Sequence, residues 1–125
     1  MKSLTYDIIL TMDKFGINNQ TLVAIKKLIT IKNILISSHG YDELAEDGLF
    51  VSDVINSISQ AIVVEDYPDA YKGPSVLLLQ KDRNGNPVHT VWGIPKGKSE
   101  PAVLITAYIP SKEKWDNTFT RRNNA

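Results

Sequence analysis

A chain of 125 residues, 42% of them hydrophobic, is the size of one ordinary domain and carries enough apolar side chain to fill one core. It contains no cysteine, which excludes disulfides, thiolate zinc sites and cysteine nucleophiles and leaves His39 and His89 as the sole imidazoles, so neither a metal site nor a cofactor is expected. The net charge of zero hides a segregation: residues 41–72 hold eight acids against Lys72, whereas residues 81–125 hold eight bases against four acids. The basic half is the part suited to face an anion, although a solvated charged face gives the same pattern. No apolar run approaches the roughly 20 residues that cross a bilayer, and the opening Met-Lys-Ser-Leu lacks a signal peptide's apolar core. The expectation is a cytoplasmic protein with no membrane partner.

In chain order, Leu4, Ile8, Ile9, Met12 and Phe15 recur at helical spacing between Ser3, a good cap, and Gly16, a stop. Asn19 caps a second helix whose stripe is Leu22, Ile25, Leu28 and Ile29, with Lys26 and Lys27 on the wet side. The hairpin these two helices form offers a homodimer surface if the first helix is left uncovered. Ile34, Leu35 and Ile36 are too few for a helix of their own and read as a strand or as the end of the second helix.

Ser38 caps a third helix that Gly48 closes, with Tyr41, Leu44 and Ala45 on one side and His39, Glu43 and Asp47 on the other. The four-residue spacing places imidazole beside carboxylate, an arrangement that orients the ring or, more plainly, compensates a helix dipole. Ser52 caps a fourth helix that buries Val54, Ile55 and Ile58. Four strands follow, beginning with Ala61–Tyr67 and Ser75–Gln80. Asn84-Gly85 then marks a tight hairpin into Val88–Ile94, because both residues tolerate positive φ. The last strand runs through Thr106, Ala107 and Tyr108.

Alternation puts His89, Val91 and Gly93 on one face of the third strand and Val88, Thr90, Trp92 and Ile94 on the other, where Trp92 reads as core. If the turn near Lys96–Glu100 returns the chain in register, His89 and Tyr108 lie opposite each other. His89 is the candidate acid or base because an imidazole titrates near pH ~6.5. It also reads as a half-buried strand histidine bonded to a backbone carbonyl, and Tyr108 and Trp115 as packed aromatics. Beyond Pro110, Lys112, Lys114 and Trp115 form a last turn or short helix that caps the last two strands, and residues 119–125, with Arg121 and Arg122, a frayed basic tail.

The runs HGYDELAEDGLFVSDV, VVEDYPDAYKGPSVLLL, NGNPVHTVWGI and LITAYIPSKEKW resemble a bacterial domain-of-unknown-function family, number 4258 of that series, over residues 21–118. Its most specific pieces here are Gly85–His89 and Thr106–Trp115. The resemblance implies kinship with the barnase, EndoU, colicin and RelE superfamily of ribonuclease toxins. It therefore implies an α+β, RelE-like domain of helices packed on a four-stranded antiparallel sheet, with residues 1–20 as an N-terminal helical extension.

The resemblance singles out His39, His89 and Thr106-Ala107-Tyr108, with Glu43 and Trp115 at further recurring positions. It implies a metal-independent cleavage of single-stranded RNA in which His89, Tyr108 and His39 are catalytic, Thr106 helps to bind, and a cognate antitoxin or immunity protein is a partner. Many relatives carry arginine where this chain has Ile109, and arginine is the residue suited to clamp a phosphate. Arg83, Lys96 and Lys98 are the candidates to replace it. The missing arginine and the acidic middle also fit a second reading, a non-catalytic binding or regulatory module that keeps the fold.

Overall fold

The computed structural model describes Gly16 and residues 18–123. The helix read from Ser3 to Phe15, and the dimer surface it would offer, lie outside the described residues. Helix α1 (Gln20–Thr30) begins at Asn19, whose side-chain oxygen accepts from the Leu22 amide at 3.0 Å, and buries the stripe Leu22, Ile25, Leu28 and Ile29. Lys32, at φ 61°, turns the chain out of the helix into strand β1 (Ile34–Ile36). Helix α2 (Ser38–Glu46) is capped by Ser37, one residue before the cap read from sequence, and Gly48 follows it at φ +65°. Helix α3 (Val51–Asn56) and a 3₁₀ turn (Ile58–Gln60) lead into the strands β2 (Ile62–Tyr67), β3 (Ser75–Lys81), β4 (Pro87–Gly93) and β5 (Ala102–Tyr108). Ser52, read as the cap of α3, lies inside it.

The sheet has five strands in the order β1-β5-β4-β3-β2 and is mixed, which corrects the expected four-stranded antiparallel sheet. The four strands from β2 to β5 do pair antiparallel as a meander. Strand β1 adds itself to the outer edge of β5 in parallel, Ile34 opposite Ala102 and Ile36 opposite Leu104. Its direction is set by α2, which returns the chain over β5 and packs closely enough that a Cβ on Gly40 would come within 2.8 Å of the Leu104 carbonyl. Three residues carry no local sign of which distant strand they will join.

The Asn84-Gly85 turn joins β3 to β4 as expected, with Asp82 Oδ1 accepting from the amides of Asn84 and Asn86, each at 2.9 Å. Between β4 and β5 the register shifts: Gly93 faces Val103 and Trp92 faces Leu104, then Val91 faces Thr106 and His89 faces Tyr108. Ile105 is the extra residue of this bulge. Had the register simply continued from the loop, position 107 would oppose His89 and Tyr108 would turn to the helical side. The bulge is what sets the imidazole and the phenol on one face.

Among the described residues the three helices cover one face of the sheet, where Val76, Leu78, Val88, Trp92, Ala102, Leu104 and Ala107 meet the apolar stripe of α1 together with Leu44 and Val54. Inside this core Gln80 is 2% exposed and makes four hydrogen bonds. Its Nε2 donates to the Val54 carbonyl at 2.6 Å and to Ser57 Oγ at 3.0 Å. Its Oε1 accepts from Thr90 Oγ1 at 2.5 Å and Trp92 Nε1 at 3.1 Å. One amide thus ties α3 and its following turn to the two central strands. Replacing it with methionine, of similar length, leaves Thr90, Trp92 and Ser57 without that partner; urea unfolding of Gln80→Met is expected to show a loss of about 2–4 kcal/mol, and a loss below about 0.5 kcal/mol would contradict the account.

Candidate functional site

The sheet face away from the helices carries His89 and Val91 on β4, Tyr108 and Thr106 on β5, Leu77 and Leu79 on β3, and Glu65 on β2. These side chains are brought together by strand register alone. A sheet face with this many apolar groups requires a cover, and residues 111–123 provide it as a strap lying across His89. His89 is completely buried and Trp115 is 3% exposed, their rings meeting edge to face with centroids 4.4 Å apart.

Both ring nitrogens of His89 are engaged. Nε2 lies 2.7 Å from the Phe119 carbonyl oxygen and Nδ1 lies 3.1 Å from the Tyr108 hydroxyl. A carbonyl can only accept, so Nε2 carries the hydrogen; in the neutral ring Nδ1 then accepts from Tyr108 O–H. The hydrogen-bond network thus selects one tautomer. Phe119 has φ 59°, the left-handed region that costs a bulky residue about 1–2 kcal/mol, and this conformation turns its carbonyl toward the imidazole.

Charge surrounds this pair without touching its nitrogens. Arg122 of the strap forks onto Glu65, Nε to Oε2 at 2.8 Å and Nη2 to Oε1 at 3.0 Å, and its guanidinium lies 4.7 Å above the Trp115 ring. The Tyr67 hydroxyl also donates to Glu65. The Arg122 bond holds the Glu65 carboxyl below its ordinary range, while burial first and Glu65 second push the Tyr67 phenol up to about 12. Burial pushes the Tyr108 phenol up as well. For His89 burial lowers the pKa, outweighing the opposite pull of the Phe119 bond and of Glu65. The dyad is thereby held neutral, imidazole and phenol alike.

Tyr108 is the member of the dyad that reaches solvent. It borders a cleft of about 400 Å³ together with Glu43, Asp47, Ile109, Ser111, Lys114, Trp115 and Arg122. Asp47 fixes the end of β5 by accepting from the Ile109 amide at 2.8 Å. His39 is exposed on α2 with Nε2 3.4 Å from Glu43 Oε1, so the carboxylate that lines the cleft links the second histidine to its rim. Thr106 sits two residues from Tyr108 on the same face, opposite Val91.

The three proposed phosphate cations are not part of this assembly. Arg83 pairs with Asp53 at 3.0 Å and stacks over Phe50 at 4.4 Å, both at α3 on the helical side of the sheet. Lys96 lies over Tyr71 at 5.9 Å, and with Lys98 it follows the far end of β4, beyond the four residues, roughly 13 Å of extended chain, that separate His89 from Gly93. The cations the cleft does contain are Lys114 and Arg122, from the segment read as a last turn and a frayed tail. Sequence reasoning missed the Phe119 carbonyl and Glu65 altogether. The available signal was two aromatics, Trp115 and Phe119, in a mostly polar segment, which need something to pack on. Among the described residues no three His, Asp or Glu side chains converge in a metal-holding group, and no helix is long and apolar enough to cross a membrane.

A family described as domain of unknown function, DUF4258, has a model that matches residues 36–109, more than half of the chain. The chain belongs to this family. No curated protein and no solved structure gives a match. The DUF4258 span begins at β1 and ends at Ile109, so it contains His39, Glu43, His89, Thr106 and Tyr108 but none of the strap.

The depressed pKa of His89 makes stability depend on pH. The unfolded chain binds a proton near the ordinary value of 6.5 while the folded ring stays neutral, so stability is full above 6.5 and is lost as pH falls toward the folded pKa. The slope within that window approaches about 1.4 kcal/mol per pH unit. Denaturant unfolding between pH 8 and 5 is expected to show this loss for the native chain and not for a folded His89→Gln variant, and parallel profiles for the two would contradict it.

Proposed function

We propose that this DUF4258 domain is a toxin-like, metal-independent endoribonuclease that acts on single-stranded RNA in the cytoplasm, built on a RelE-like arrangement and restrained by a cognate antitoxin or immunity protein. The observation that carries the reading is the contact of His89 with Tyr108 on the sheet face away from the helices, with Tyr108 opening onto a cleft that Glu43 and Lys114 also line. The reaction asks only for proton transfer and charge stabilisation. A base removes the 2′-hydroxyl proton, that oxygen attacks the adjacent phosphorus, and the 5′-oxygen leaves with a proton from an acid, giving a 2′,3′-cyclic phosphate.

In this scheme His89, once its Nε2 is released from Phe119, is one proton-transfer group, and His39, oriented by Glu43, is the other. Tyr108 either hydrogen-bonds a phosphate oxygen or keeps its bond to Nδ1 and orients the His89 ring. Lys114 takes the place of Arg83, which is paired on the helical side of the sheet, and of Lys96 and Lys98, which follow the far end of β4, as a cation near the phosphorane. Thr106 contributes a hydroxyl on the same face. A single-stranded substrate suits a cleft in which a base can stack on the half-buried Tyr108 ring.

One observation favours the second reading, a non-catalytic binding or regulatory module: the His89 ring is fully buried and both of its nitrogens are already bonded. The two readings separate in one experiment. Purified full-length chain at high concentration is incubated with a single-stranded RNA oligonucleotide beside His89→Ala and Tyr108→Phe, and each variant is checked for folding. The ribonuclease reading expects slow cleavage by the native chain to cyclic-phosphate ends and a fall of about 10²-fold or more in folded His89→Ala. Equal cleavage by native and His89→Ala protein, or intact RNA with every protein, would remove it in favour of the binding module.

A further inference from the structure

We infer that residues 111–123 are an autoinhibitory strap, a self-contained segment that closes the His89–Tyr108 site and must swing away at Ile109-Pro110 before the site can act; the inhibitory part of this inference rests on the ribonuclease reading. The first argument is internal construction. Asp116 Oδ1 gathers the Thr118 amide at 3.1 Å, the Thr118 hydroxyl at 2.8 Å and the Thr120 amide at 3.2 Å. The Asn123 side chain donates to the carbonyls of Lys112, Glu113 and Trp115 at 3.0, 3.1 and 3.0 Å. Trp115 and Arg122 form an antiparallel bridge, and the Asn123 amide donates to the Lys114 carbonyl at 2.9 Å. The segment therefore satisfies most of its own polar groups and keeps its shape when moved.

The second argument is how little polar bonding fastens it. Among the described residues its hydrogen bonds to the rest of the chain run to two side chains, His89 through the Phe119 carbonyl and Glu65 through Arg122. One of these two anchors is the proposed catalytic imidazole. The strap's carbonyl thus occupies the proposed proton-transfer nitrogen, and Phe119 reaches it from a left-handed conformation. The third argument is placement: the strap begins just beyond β5 and the matched span that ends at residue 109, and it adds no strand to the sheet.

Release is tested through the Glu65 anchor, which takes no part in the proposed chemistry. Arg122→Glu and Glu65→Arg each place like charges in contact and loosen the strap, and the double variant, with the charges exchanged, restores the pair. The chain has two histidines, and His39, 65% exposed, is an internal control for carbethoxylation by diethyl pyrocarbonate, followed by peptide mass mapping. In the native chain and the exchanged double variant His39 reacts and His89 is protected. In either single variant, with folding verified by circular dichroism, His89 becomes reactive and RNA cleavage rises about tenfold or more.

Protection of His89 in both folded single variants would overturn the strap as a movable cover. Reactivity of His89 without any rise in cleavage, where the native chain does show His89-dependent cleavage, would overturn autoinhibition alone. Reactivity of His89 with intact RNA in every protein would leave the strap movable, overturn its inhibitory role and sink the ribonuclease reading with it.

Discussion

The architecture of this face depends on one buried ring. His89 is fully buried on this face, and a buried imidazole with an unpaired nitrogen is costly, about 1–3 kcal/mol for each orphaned group. Tyr108 and the Phe119 carbonyl remove that cost from the two sides. The first partner comes from the neighbouring strand and the second from a terminal segment 30 residues away. Each constrains the chain: the phenol requires β5 to reach His89 in a particular register, and the carbonyl requires the strap to lie down on the sheet. The Glu65–Arg122 fork and the stacking of Arg122 on Trp115 reinforce the second constraint from the strap's other end.

The same ring accounts for the chemistry the site shows at rest. Burial favours the neutral imidazole and the protonated phenol, so the Tyr108–His89 bond joins an O–H donor to a lone-pair acceptor and carries no net charge. A dyad in that condition is well ordered and unreactive. Proton transfer by this ring would demand that it regain access to water or substrate, so an enzyme needs the cover to move and a binding module does not.

Much of this was readable from the residues. Two-residue alternation separated His89 from Trp92 correctly, and Asn84-Gly85 fixed the pairing of β3 with β4, because both signals are local and steric. The opposition of His89 and Tyr108 was foreseen too, but its cause was not: the extra residue at Ile105 shifts the register by one, and an isoleucine in a strand gives no sign of a bulge. The parallel attachment of β1 escaped for a related reason, since Ile34–Ile36 pairs with residues 68 positions later. Lys96, Lys98 and Arg83 looked available because charge is visible in a sequence and direction is not. The strap was read as a tail because polar, basic residues near a terminus are usually solvated, and the Phe119 contact uses a backbone carbonyl, which no side-chain pattern announces.

The most direct test of the central claim is the state of the His89 ring itself, observed by long-range ¹H–¹⁵N correlation of the imidazole nitrogens in ¹⁵N-labelled protein. The account predicts a single neutral tautomer at pH 7, with Nε2 protonated, Nδ1 bare, and a titration midpoint displaced below the ordinary imidazole value of 6.5. A ring with Nδ1 protonated, or one that averages between tautomers and titrates at or above 6.5, would contradict it.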